Sequence, residues 1–179
     1  MHLLFLAGIG NSGSEHWQRQ WYLESEQATW VEHSNWEQPV MEQWLDDFEH
    51  ALVSIHEPVV VIAHSLGCVL FTEWLRCHDL GQVSGAMLVA MPNVLGPEFP
   101  EQAVHFSNLG TYCDCCPAVI VASEDDPYAS IEHAYNQGRA LNAAVHNIGA
   151  VGHINGQSNL GYWLEGQMIL RDLIHRVDR

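Results

Sequence analysis

The sequence contains no lysine, so its six basic residues are all arginine. Against them stand 22 acidic residues, which give the chain of 179 residues a formal net charge of −16 at pH 7. A surface of this charge repels nucleic acid and anionic membranes, whose phosphates attract clusters of basic side chains. The composition therefore argues against a nucleic-acid or membrane partner, but it indicates no particular chemistry and leaves a protein partner unknown.

Long hydrophobic runs are also absent. The longest apolar runs have the length of a strand, far below the ~20 residues that span a membrane. Residues 1–7 are apolar, but no basic segment accompanies them and we do not interpret them as a signal peptide. Hydrophobic residues still make up 47% of the chain, which is typical of a globular protein. The chain length of 179 residues predicts a single domain over residues 1–179.

Cysteine is scarce and odd in number. The five cysteines form no paired framework, which favours a reducing, cytoplasmic location. Cys113, Cys115 and Cys116 form a local cluster that lacks a second pair at metal-ligand spacing. We therefore predict free thiols, no metal site and no cofactor.

Strand-type and helix-type segments alternate along the chain. Apolar, β-branched runs predict six strands, at residues 2–7, 29–32 (the weakest), 59–62, 85–91, 118–122 and 144–148. Amphipathic or capped segments predict helices at residues 15–24, 40–56, 69–78, 130–141 and 164–177. This alternation predicts an α/β fold, a three-layer α/β/α sandwich around a mostly parallel sheet of about six strands. Residues 92–117 are too few for a large cap.

The stretch VVVIAHSLGCVL, residues 59–70, is the most informative. A buried strand stops at Ser65, which has small residues two positions before and after it, Ala63 and Gly67. Small-x-Ser-x-small between a strand and a helix is the nucleophile elbow of α/β hydrolases, although its first small residue is usually glycine. Ser65 is the predicted nucleophile; the alternative is a chance serine after a buried strand.

A serine nucleophile needs a base and an acid, which follow it in the order Ser, Asp or Glu, His in this fold. His153 is the predicted base, because it lies in a glycine-containing loop after the last strand. His64 adjoins Ser65 but should point away across the turn, and we interpret it as structural. Asp126, followed by the rigid Pro127, is the predicted acid, with Asp125 as the second choice.

The loop after the first strand, residues 8–14, is rich in glycine. Its spacing matches neither phosphate-binding motif, and no lysine is present to hold a phosphate. A serine hydrolase needs two N–H donors for its oxyanion. We predict the backbone N–H groups of Leu66 and Ile9, with Asn11 as an alternative to Ile9.

Four other residues of these loops have no evident role in proton transfer. Trp17 pairs with Trp21 at i,i+4 spacing and should face the sheet. We predict that these residues either pack and brace the loops or line the substrate pocket. They are Asn11, His16, Trp17 and Asn155.

Four motifs in this order give the chain a resemblance to a known family. They are GIGNSGSEHW, AHSLG, ASEDDPY, and GHIN followed by GYW, and they extend from residue 3 to residue 163. The chain resembles the RBBP9/YdeN-like small serine hydrolases of the α/β-hydrolase superfamily. The resemblance implies a compact fold without a large cap, with Ser65 as nucleophile, Asp126 as acid and His153 as base.

Two functions follow as hypotheses. The first is a carboxylesterase-like serine hydrolase, which cleaves a small ester, thioester or amide through an acyl-enzyme. The second is a non-catalytic protein-interaction module that retains the hydrolase fold, because fold alone does not imply function.

Overall fold

The computed structural model describes residues 1–106 and 116–178. Its six strands are β1 (His2–Leu6), β2 (Ala28–Trp30), β3 (Val59–His64), β4 (Val83–Val89), β5 (Ala118–Ala122) and β6 (Ala144–Asn147). They form one sheet in the order β2-β1-β3-β4-β5-β6, and every neighbouring pair is parallel. β3 and β5 are buried at every residue, as expected for apolar strands covered on both faces.

Helices cover both faces of the sheet. They are α1 (Trp17–Glu24), α2 (Met41–Val53), α3 (Leu66–Cys77), α4 (Ile131–Ala140) and α5 (Leu164–Val177), with short 3-10 helices at Glu101–Phe106 and Gly156–Ser158. α1 and α5 pack on one face, while α2, α3 and α4 pack on the other. Within the described part of the chain, no helix combines the length and apolarity that crossing a membrane requires. The three-layer α/β/α prediction is confirmed.

The observed elements differ from the predicted ones mainly at their ends. α3 begins at Leu66 rather than at residue 69, because the chain turns into the helix directly after Ser65. α1 begins at Trp17 rather than at residue 15, because His16 caps it by accepting the N–H of Gln18. β4 begins two residues early, at Val83, where it pairs with β3. Cys113 and Cys115 lie outside the described residues.

The carboxyl ends of the parallel strands share one edge of the sheet. The glycine-rich loop follows β1, Ser65 follows β3 and Asp126 lies just beyond β5. The loop after β6 contains His153. This edge is where open α/β sheets bind their ligands.

Candidate active site

Ser65 occupies a strained turn between β3 and α3. Its φ is 53° and its ψ is −123°, a conformation that residues other than glycine rarely adopt. A Cβ on Gly67 would lie 2.5 Å from the carbonyl oxygen of Leu6, and a Cβ on Gly8 would lie 2.9 Å from the Cβ of Ser65. The elbow therefore packs so closely against β1 and its loop that both positions require glycine.

Three side chains predicted to act together lie in contact. The Oγ of Ser65 is 2.8 Å from Nε2 of His153. Nδ1 of His153 is 2.9 Å from both carboxylate oxygens of Asp126. An ionised carboxylate only accepts hydrogen bonds, so Nδ1 carries the imidazole proton and the lone pair of Nε2 faces the serine hydroxyl. In this arrangement the imidazole can take the hydroxyl proton.

The two neighbouring aspartates contact different parts of the histidine loop, a name we use for residues 149–163. Asp126 contacts the imidazole itself, whereas Oδ1 of Asp125 accepts the hydroxyl of Ser123 at 2.8 Å and the N–H of Gly152 at 2.7 Å. The Gly152 N–H, and then the Ser123 hydroxyl, hold the pKa of Asp125 below its ordinary value. The geometry thus favours Asp126 as the residue that orients the His153 side chain. Asp125 instead binds the backbone N–H of Gly152, next to His153.

Comparison with known proteins shows similarity in both amino-acid sequence and fold. The sequence matches the serine hydrolase family over residues 3–172.

The chain belongs to the serine hydrolase family. It is 25% identical to the YdeN hydrolase of Bacillus subtilis over 157 residues, 82% of each chain. The crystal structure of that ydeN gene product has a TM-score of 0.80 to this chain at 19% identity, with 97% of this chain and 98% of that one covered.

Two further solved structures are similar to this serine hydrolase. A YdeN-like hydrolase from Pectobacterium atrosepticum has a TM-score of 0.86 and 23% identity, covering 98% of this chain and 91% of that one. An α/β hydrolase from a Medee basin deep-sea metagenome has a TM-score of 0.74 and 14% identity, covering 99% and 85%. These similarities confirm the resemblance to YdeN-like serine hydrolases and the compact α/β-hydrolase fold.

In this serine hydrolase the histidine loop is held by hydrogen bonds to side chains of distant elements. The indole N–H of Trp17 donates to the carbonyl of Ile154 at 2.8 Å, and Nε2 of His64 lies 3.0 Å from the carbonyl oxygen of His153. The N–H of Val151 donates to the hydroxyl of Ser123 at 3.0 Å. The predicted structural role of His64 agrees with this contact, which fastens the loop to the elbow.

Two buried histidines, His16 and His64, lie close to His153. The His16 and His64 rings are 4.6 Å apart, and the His64 ring is 5.0 Å from that of His153. Burial, helped by nearby His153, lowers the pKa of His16 to about 4. Burial likewise lowers the pKa of His64 well below its ordinary value, and His16 and His153 act in the same direction. Both rings are therefore uncharged at neutral pH.

A cavity of about 280 Å³ opens beside Ser65. Of the predicted binding and oxyanion residues, Ile9, Leu66, Asn11, His16 and Asn155 line it.

Trp17 does not line this cavity, and its assignment to the substrate pocket is corrected. Its side chain is 1% exposed and packs against Trp21 and Trp163, with ring centroids 4.6 and 4.9 Å away. The indole faces the sheet, as its spacing predicts. It supports the site through its bond to the histidine loop and through ring contacts with His16 and His64, whose centroids lie 5.3 and 6.1 Å away. Trp163 is buried in the same aromatic cluster, with its ring stacked on that of Trp21 at 5.6 Å between centroids.

Several residues of the cavity wall were not anticipated from the sequence. Tyr128 stacks edge-on against His153 at 4.6 Å between centroids, and its position two residues after Asp126 could have indicated this. The other unanticipated residues come from the connection between β4 and β5, which has no periodic pattern to mark them. They are Pro92, Phe99, Pro100 and Gln102.

Backbone donors face the same cavity. Leu66 is the first residue of α3 and Ile9 lies in the loop after β1, and neither N–H is bonded to another residue that the structure describes. Oδ1 of Asn11 accepts the N–H of Ser12 at 2.8 Å and Nη2 of Arg19 at 3.3 Å. The amide nitrogen of Asn11 is thereby left as a third donor at the cavity wall.

Proposed function

We propose that this chain is a carboxylesterase-like serine hydrolase that cleaves small ester, thioester or amide substrates. Ser65 is the nucleophile, His153 the general base and Asp126 the acid that orients it. The observation that carries the proposal is the continuous contact from Oγ of Ser65 to His153 at 2.8 Å, and from His153 to Asp126 at 2.9 Å. Geometry of this kind, rather than sequence position, defines a catalytic triad.

The proposed reaction has two halves. Oγ of Ser65 attacks the substrate carbonyl carbon while its proton passes to Nε2 of His153. The resulting tetrahedral intermediate expels the alcohol, thiol or amine, which leaves with that proton, and the acyl group stays on Ser65. Water then loses a proton to His153 and attacks the acyl carbon, and the same proton returns to Oγ as the carboxylic acid departs. Asp126 stabilises the imidazolium formed in each half.

The oxyanion of each tetrahedral intermediate needs donors positioned in advance. We propose the N–H groups of Leu66 and Ile9, because both lie at the cavity wall unpaired with any described residue. The amide of Asn11 is the alternative to Ile9. A donor of this kind is worth about 100- to 1,000-fold in rate.

The proposed substrates are small because the cavity measures about 280 Å³, at the lower end of ligand pockets. Asn11, His16 and Asn155 are the proposed polar contacts. No cofactor or metal enters the proposal. The unpaired thiols of Cys68 and Cys77 support a cytoplasmic location, since oxidising compartments favour disulfides.

The test uses a fluorophosphonate probe and a panel of p-nitrophenyl esters of increasing acyl length. We expect labelling and ester hydrolysis by the wild type, and a loss of at least about 1,000-fold in Ser65→Ala. Ser54→Ala removes an exposed hydroxyl at the end of α2 and should label normally. A folded wild type that neither labels nor hydrolyses any ester would instead favour the non-catalytic interaction module.

A further inference from the structure

The described residues that line the cavity beside Ser65 carry no formal charge at neutral pH. None of the described residues that line it is an aspartate, glutamate, lysine or arginine. The buried rings of His16 and His64 also line it, and burial keeps both neutral at physiological pH. Much of the remaining wall is apolar, from Ile9 and Leu66 to Phe99.

Exposed carboxylates lie next to segments of the cavity wall. Glu98 and Glu101 are exposed on either side of Phe99 and Pro100, two residues of the wall. Asp125 is exposed at the far side, beside the histidine loop. They contribute to a chain whose formal net charge is −16. A rim of one sign around a cleft with low-dielectric walls concentrates its field inside the cleft.

Among the described arginines, Arg19 contacts the cavity wall through Asn11 but does not line the cavity itself. Arg19 donates through Nε to the carbonyl of Ser12 at 3.1 Å and through Nη2 to Oδ1 of Asn11 at 3.3 Å. Its guanidinium also stacks over the Trp30 ring, 3.7 Å from the centroid. Arg19 is not itself a residue of the cavity wall, and two of its N–H groups are bonded to Ser12 and Asn11.

Building on the proposed ester hydrolysis, we propose that this cleft accepts uncharged and cationic substrates and excludes anionic ones. A substrate carboxylate or phosphate would lose its hydration at the apolar wall without gaining a cationic partner. The carboxylates of the rim would also repel it during approach. A cationic substrate would be attracted by the same carboxylates, and its charged group could stay hydrated near the open rim.

The experiment compares three aryl acetates that differ in the charge of one para substituent. They are 4-acetoxybenzoate, 4-acetoxybenzamide and 4-acetoxyphenyltrimethylammonium, which carry −1, 0 and +1. Each kcat/KM is divided by the rate of imidazole-catalysed hydrolysis of the same ester, which removes differences in leaving-group reactivity. We expect the corrected value for the anion to fall about 10-fold or more below that of the neutral amide, with the cation equal to or above the amide.

Two variants with the same change in net charge sharpen the test. Gln102→Arg introduces a cation at the cavity wall and should bring the anionic ester several-fold closer to the neutral one. Gln43→Arg makes the same substitution at an exposed position of α2 that does not line the cavity, and it should leave the ratio near the wild-type value. High salt should reduce the wild-type discrimination, because ~1 M salt shortens the screening length to about 3 Å.

The outcomes separate this inference from the function on which it rests. Failure to hydrolyse any of the three esters above the Ser65→Ala background overturns the proposed function and the selectivity with it. Hydrolysis of all three at equal corrected rates, or fastest hydrolysis of the anion, overturns the charge selectivity alone. An identical shift in Gln102→Arg and Gln43→Arg would assign any discrimination to net charge and not to the cleft.

Discussion

The elbow and the histidine loop position Ser65 and His153, the proposed nucleophile and base, by different physical means. The elbow joins two regular elements, and its geometry comes from steric contact: β3 is buried at every residue, and a Cβ at position 67 would collide with the backbone of β1. The histidine loop contains only a 3-10 helix at Gly156–Ser158. Its backbone is held by single hydrogen bonds, given or accepted, with side chains far away in sequence.

This difference determines how a substitution should affect each of the two segments. Close packing leaves the elbow a single arrangement, because protein interiors have little free volume. The loop instead depends on donors and acceptors that can each be removed while its surroundings stay in place. Damage to the elbow should therefore affect folding and activity together, and damage to the loop should affect activity out of proportion to stability.

The largest expected effect is at the elbow, in Gly67→Ala. The added Cβ would lie 2.5 Å from the carbonyl oxygen of Leu6 and 2.9 Å from that of Ala7, so α3 and Ser65 must move away from β1. We expect a loss of up to about 3 kcal/mol in the free energy of unfolding. Displacement of the nucleophile should also cost about 100-fold in kcat/KM. Urea unfolding and ester hydrolysis measure the two effects.

Gly13→Ala is the matched control, because a Cβ at that position meets no atom within 4 Å. Wild-type stability in Gly67→Ala would contradict the steric account of the elbow.

Acidification tests the histidines packed between the elbow and the loop. The pKa of His16 is about 4 in the folded chain and about 6.5 when unfolded. Between pH 6.5 and pH 4 the unfolded state binds a proton at His16 that the native state does not. The stability that depends on neutral His16 is therefore complete above about pH 6.5 and is lost as the pH falls towards 4. His16 alone should account for about 3 kcal/mol of that loss, and His64 acts in the same direction.

Urea unfolding at pH 7, 6 and 5 measures this slope. His16→Asn removes the titrating group but keeps a good helix N-cap, so its stability should fall less steeply with acidification. His50→Asn, at an exposed position of α2, should keep the wild-type slope. Equal slopes in both variants would show that His16 does not carry the effect.

The smallest expected change in stability belongs to the histidine loop, in Trp17→Phe. This substitution keeps an aromatic ring in the core but removes the N–H that the Ile154 carbonyl accepts. An unpaired buried carbonyl costs about 1–3 kcal/mol, and the freed backbone next to His153 should lower kcat about 10-fold.

Trp21→Phe removes a similar bond, from the same helix to the carbonyl of Tyr162 at the far end of the loop. It should lose comparable stability with kcat nearly unchanged. If both variants lose kcat equally, the anchor beside His153 has no special role in positioning it.

The order of strands and helices was predictable from the sequence because it depends on local patterns. Continuous β-branched runs indicate buried parallel strands, and the small residues around Ser65 indicate the tight turn between β3 and α3. The strand ends then place the serine, the acidic cluster and the loop of His153 at one edge of the sheet. The sequence and the family resemblance favoured Asp126 as the acid, with Asp125 left as the second choice.

The walls of the cavity were not predictable in the same way. Phe99, Pro100 and Gln102 belong to a connection without periodicity, so no local signal marks them as neighbours of Ser65. Trp17 was interpreted both as a core residue and as a pocket residue, and only its 1% exposure decides for the core. The different contacts of Asp125 and Asp126 likewise depend on how the histidine loop crosses the sheet edge.

The sequence by itself determined the α/β layers, the elbow at Ser65 and the order of the proposed catalytic residues, because short-range sterics and hydrophobic periodicity depend on residues that are neighbours in the chain. Only the tertiary structure decided which carboxylate meets His153, which side chains hold its loop and which wall faces the serine. Those outcomes depend on contacts between residues far apart in the chain, and a single hydrogen bond such as that from Trp17 to Ile154 leaves no pattern in the local sequence.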